Sequence, residues 1–380
     1  MSIITVIGLS ATALASTWSD ASSLTLPTAV EGAAFAEVYP LGVGVMTGGD
    51  DGSGAVTDVQ IIDPLTGTVT SGSLSFATME HTATFYTVDN GDGTYTDQVM
   101  VYGGRPNQSS LTTHRYGNVV DPISGAATST RQGPISGGRR FAHAASFDKA
   151  SNRVIHSGGQ ASATLQAGVI GWQPDTDRWS KLATMNTERR DHGQVTLDPG
   201  VTCMIGGRDA SGNALASIEC LDASTYPGGS WTLPTTTVAS LATARSDFAL
   251  LVTGPKTFLV VGGTDGTSDL ATIEEVQYLG GTYTDPANWV VSTLSDTLDY
   301  PRSGHCVGNI GPDYILVVGG SQGMVEAIDF NHGLHETFAA VDARSTCGIQ
   351  FDGSTGAPAA YVSGGLDAGS PVTSIGRWSW

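Results

Sequence analysis

Positive charge is scarce in this 380-residue sequence: 17 Lys and Arg stand against 36 Asp and Glu, for a formal net charge of −19. Only Lys149, Lys181 and Lys256 are lysines. A chain so acidic lacks the basic surface that phosphate neutralisation needs, which argues against a general nucleic-acid binder. No run of 18 or more apolar residues occurs, so no transmembrane helix and no membrane insertion are expected. Cysteine is also sparse, and four in this length imply no disulfide framework. Met1 to Ala15 is mildly apolar and ends Ala13-Leu14-Ala15 like a cleavage site, but it carries no Lys or Arg. Without a basic start, a cleaved signal peptide is not expected.

What the sequence has in quantity is glycine. Fifty glycines set beside 14% charged residues describe many short strands joined by tight turns. A Gly-Gly pair follows a short apolar run seven times, at Gly48, Gly103, Gly158, Gly206, Gly262, Gly319 and Gly364, spaced 45 to 57 residues apart. Runs such as Phe258-Leu259-Val260-Val261 and Ile315-Leu316-Val317-Val318 read as buried strands ending at the pair.

Other features recur in phase. An Arg-x-x-His-like element precedes most pairs: Arg140/His143, Arg189/His192, Arg245/Phe248, Arg302/His305 and Arg344/Cys347. Asp-Pro-x-Thr/Ser-Gly turns close a third strand at Asp63 to Gly67 and Asp121 to Gly125. Trp179, Trp231 and Trp289 then open a fourth. With these motifs on nearly its whole length, the chain resembles the kelch-repeat family. That resemblance implies an all-β fold, a seven-bladed β-propeller of four-stranded antiparallel blades.

The seventh unit stops after its third strand, near Thr373–Trp380, while Trp18 and the residues after it look like a fourth strand. The segment around Thr17–Ser22 is therefore expected in the outer position of the last blade, closing the ring. Residues 1–15 are then an N-terminal arm or extra strand, and 16–380 a single propeller.

First strands line a propeller's channel, and the residues after each Gly-Gly emerge on the same face. Registering the first strands places Glu31, Thr78, Arg140, Arg189, Arg245, Arg302 and Arg344 around the channel mouth, joined by Arg105 and Arg208 directly after double glycines. One reading makes these arginines struts between blades. The other makes them a ligand site for a carboxylate, since guanidinium forks in a concave mouth suit anions.

His81, His143, His192 and His305 share one repeat position and are expected to be structural, because first strands of different blades lie too far apart to share an ion. His332 and His335 sit in a hairpin as an unspecific surface pair. Asp51, Asp209, Asp265 and Asp367 are expected to form turns. Cys203 and Cys220 lie nearly symmetrically about a hairpin turn, but burial as small apolar side chains is preferred over a bond. Cys306 and Cys347, one position out of phase on adjacent first strands, are expected not to pair.

These features leave no triad, nucleotide loop, cofactor site or metal cluster of convincing specificity. The favoured reading is a non-enzymatic interaction or structural module offering its Arg-lined mouth to a protein, an acidic peptide or a carboxylated glycan. Its composition suits a virus particle or another extracellular assembly. The alternative is a carbohydrate-active enzyme, since kelch propellers also resemble the sialic-acid mutarotase/epimerase.

Overall fold

The structure is a computed structural model, and it describes residues 17–107, 117–130, 139–225, 234–311, 314–330, 334–339, 347–352, 359–367 and 370–379. Seven four-stranded antiparallel sheets follow one another along the chain. Blade 4 shows the pattern: Gly193–Leu197, Val201–Ile205, Ser217–Asp222 and Thr236–Ser240, paired in that order. The first strands touch their neighbours from blade to blade and back round to blade 1, so they line the centre of a ring. Three single 3-10 turns are the helical content among the described residues.

Alternation of side chains builds the ring. In blade 5, Phe258 and Val260 face blade 4, while Leu259 and Val261 face blade 6. Each of the seven blade interfaces has its own buried apolar cluster. The core is thus a ring of seven small cores rather than one.

Closure follows the sequence expectation. Thr17–Thr25 pairs antiparallel with Ser374–Ser379, with Trp18 opposite Trp378. Ala21 and Leu24 from this strand pack with Met46 and Ile62 of blade 1. Both ends of the chain therefore hold one sheet, which leaves no open gap between first and last blades. The arm, residues 1–15, lies outside the described residues.

Six of the seven second strands end just before their glycine pair, and the blade 2 strand Tyr95–Arg105 runs through it. The pair is glycine because the next blade presses on it. A Cβ on Gly158 would lie 2.5 Å from the Arg189 carbonyl oxygen and 2.6 Å from the His192 ring. Gly159 then donates its N–H to that carbonyl at 2.8 Å. The same bond recurs from Gly49 to Thr78, Gly104 to Arg140, Gly207 to Arg245 and Gly263 to Arg302. All these glycines have positive φ, so both room and backbone conformation require glycine.

Both cysteine expectations are overturned, since two disulfides form, Cys203–Cys220 and Cys306–Cys347. Cys203 and Cys220 are direct cross-strand partners within blade 4, with Cα atoms 4.1 Å apart. The second pair joins blades 6 and 7. Being out of phase is what makes it meet: Cys306 faces forward to blade 7, and Cys347, at the repeat position of the histidines, faces back to blade 6. Strand parity separates side chains within one sheet, but across an interface opposite faces are the ones that touch.

Candidate functional site

Arginine occurs in two environments around the channel. The first lies inside the blades. Arg189 donates to the carbonyls of Gly206 at 2.8 Å and Ser217 at 3.2 Å, and its other nitrogen reaches Glu219. Glu219 also accepts the backbone N–H groups of Asn186 and Thr187, in the loop just before the arginine. Arg245 repeats this with Gly262, Thr272 and Glu274, and Arg302 with Gly319, Met324 and Glu326. All three arginines and all three glutamates are wholly buried. Arg140, equally buried, donates to the carbonyls of His156 and Gly168, and burial lowers its pKa to about 10.

The expected ring of ligand-binding arginines therefore needs correction. The side chains of Arg140, Arg189, Arg245 and Arg302 point into their own blades, because each can satisfy a third-strand carbonyl or carboxylate there. The backbone carbonyl, and not the guanidinium, makes the link between blades. Arg344 lies outside the described residues. Val30, not Glu31, holds the equivalent place in blade 1, since its carbonyl accepts from Gly365.

The second environment is the mouth, built on a collar of backbone hydrogen bonds. Glu80 N–H donates to Gly32, Ala142 to Glu80, Asp191 to Ala142, Asp247 to Asp191 and Gly304 to Asp247. All six residues have φ between 50° and 65°. Glycine fits that conformation at Gly32 and Gly304, whereas a residue with a Cβ there costs about 1–2 kcal/mol. Three of the four non-glycine residues are carboxylates. Glycine would be cheaper at these positions, which makes the mouth the candidate site.

Each carboxylate meets an arginine. Glu80 pairs with Arg105, whose guanidinium lies 4.8 Å over the Phe141 ring centroid. Asp247 pairs with Arg208, which also donates to Ser246 Oγ at 2.9 Å. Arg190 approaches Asp191 at 3.7 Å and is the most exposed of the three, its side chain 37% accessible. The Asp191 carboxyl is pushed up to about 6 by burial and then by the neighbouring Asp247, against the pull of Arg190 and Arg208. A cavity of about 500 Å³ is framed by Glu80, Arg105, Phe141, Gln160, Arg190 and Asp191.

Arg105 and Arg208 thus sit at the mouth as expected from sequence. Arg190, Glu80, Asp191 and Asp247 were missed, although the signal was present: they fill the two variable places of the Arg-x-x-His element. His81, His143, His192 and His305 are buried, and their rings cover the glycine pair of the preceding blade, or bond its strand through Thr47, Thr82 and Ser157. Burial holds His143 and His192 well below the ordinary imidazole range and His305 at about 3, so they are neutral structural groups.

Asp51, Asp209 and Asp265 accept backbone N–H groups two to four residues on, as turn formers do. The side chain of Asp367, like His332, lies outside the described residues. His335 lies beside Asp299 and Glu326, but Glu326 already holds Arg302 and two backbone N–H groups.

No family model matches the chain, and no curated protein matches it. Among solved structures it is similar to that of YjhT, with a TM-score of 0.56 at 14% identity, over 77% of this chain and 93% of that one. The likeness shows the β-propeller fold alone.

Proposed function

We propose that the protein is a non-enzymatic binding module whose channel mouth takes a polar ligand without strong net charge, and that a glycan fits it best. The cavity of about 500 Å³, lined by Glu80, Asp191 and Asp247 together with Arg105 and Arg190, carries this reading. Arg105, Arg190 and Arg208 are balanced by Glu80, Asp191 and Asp247. This balance disfavours an acidic peptide, which would have to displace carboxylates already in place. A polyhydroxylated ligand instead uses both partners of such pairs, as donors and as acceptors, and Phe141 offers a ring face for the apolar side of a sugar. The two disulfides support an oxidising setting, such as the outside of a cell or the surface of a particle.

A glycan array tests this reading. Wild-type protein should bind a defined set of neutral glycans, and Glu80→Gln and Arg190→Ala should each lose that binding while still melting cooperatively. Binding restricted to acidic peptides would refute it.

One observation favours a second reading, a sugar-converting enzyme. Asp191, at about 6, can give and take a proton near neutrality inside the same cavity. Acceleration of anomer exchange by wild type, lost in Asp191→Asn and measured by NMR, would replace the binding-module reading with this one.

A further inference from the structure

We propose that the channel beside the mouth holds an apolar compartment of the same site, and that the ligand is a glycan carrying an aryl or acyl substituent. This deepens the glycan reading and rests on it. Around blades 5, 6, 7 and 1 the channel wall changes character. A cavity of about 370 Å³ is walled there by Phe35, Phe248, Leu250, Val307 and Ile349, with Cys306 and Cys347 beside them.

Leu250, Ile349 and Phe35 each lie over a glycine of the adjacent first strand. A Cβ on Gly193 would fall 2.2 Å from Leu250 Cδ1, on Gly308 2.5 Å from Ile349 Cγ2, and on Gly348 2.1 Å from Phe35 Cγ. First strands in this half of the ring thus exchange their own side chains for a neighbour's large apolar one. Phe35, Phe248, Leu250 and Val307 are only partly buried, which leaves apolar surface facing a concavity. Such surface in a pocket is a place where an apolar ligand group gains by leaving water.

Asp247 of the collar lines both this cavity and the polar one, so the two are neighbours. A sugar held between Glu80, Arg190 and Asp191 would have its substituent directed past Asp247 toward Leu250. A cavity of about 370 Å³ suits one ring or a short acyl chain and is small for a peptide.

Calorimetric titration with methyl and p-nitrophenyl glycosides of glucose, galactose and N-acetylglucosamine, together with p-nitrophenol alone, tests the proposal. For the sugar that binds, the aryl glycoside should bind at least tenfold more tightly than its methyl counterpart. Leu250→Ser and Val307→Ser, on different blades and each checked by thermal melting, should remove that gain and leave the methyl glycoside's affinity unchanged. Equal affinities of the two glycosides, or a gain that survives in both variants, would overturn the compartment while leaving the glycan site standing. Leu250-dependent binding of p-nitrophenol with no methyl glycoside bound would keep the compartment and overturn the glycan reading. Absence of binding by every probe would overturn both.

Discussion

Arg189 and Arg190 are adjacent in sequence and opposite in situation. Arg189 is wholly buried, bonded to three carbonyls, a serine hydroxyl and Glu219. Arg190 stands in the mouth with 37% of its side chain exposed and Asp191 at 3.7 Å. The repeat frame decides between them: one position turns into the blade and the next lines the cavity. Residue type alone therefore says little in a repeat protein, and phase within the repeat says much more.

The buried set should show the largest effect. Arg245→Met leaves the buried Glu274 without the guanidinium that balances it, and stability should fall by about 3–5 kcal/mol. Denaturant unfolding measures this, and a loss under about 1 kcal/mol would mean that the buried pairs do not hold their blades together.

Asp191 comes next. Its folded pKa of about 6 lies above the usual 3.8, so the native state holds a proton that the unfolded chain has released. Stability should consequently fall as pH rises from about 4 to 6. Asn matches the neutral carboxyl in shape and tolerates positive φ, so Asp191→Asn should gain about 2 kcal/mol at pH 7 and nothing at pH 3. An equal effect at both pH values would show that the gain does not come from the proton. Arg208→Ala should have the smallest effect on stability, below about 1 kcal/mol, since both partners are about one third exposed. A larger loss in the melting curve would place Arg208 with the buried arginines.

Much of the fold was legible because it is written seven times. Gly48, Gly103, Gly158, Gly206 and Gly262 are each enforced by a carbonyl from the next blade, and all but Gly206 by a histidine ring as well, so spacing alone counts the blades. Closure was legible from a missing fourth strand and the match at Trp18. The site was less so. Glu219, Glu274 and Glu326 lie inside apolar third strands, and their phase with the arginines becomes meaningful only once the fold places the Arg-bearing loop beside that strand. The collar's left-handed backbone is written plainly only at Gly32 and Gly304, while Glu80, Asp191 and Asp247 hold the same conformation with side chains that do not signal it. The disulfide from Cys306 to Cys347 was missed because parity was applied within a sheet to residues that meet between two sheets.

On the proposed reading the mouth binds the ligand, and the buried arginines hold the blades' architecture. The most direct measurement is melting temperature and glycan-array binding, side by side, for Arg189→Ala and Arg190→Ala. Arg190→Ala should melt within about 3 °C of wild type and lose binding. Arg189→Ala should melt far lower, and should bind as wild type does when assayed below its transition. Binding retained in Arg190→Ala and lost in a folded Arg189→Ala would contradict the account.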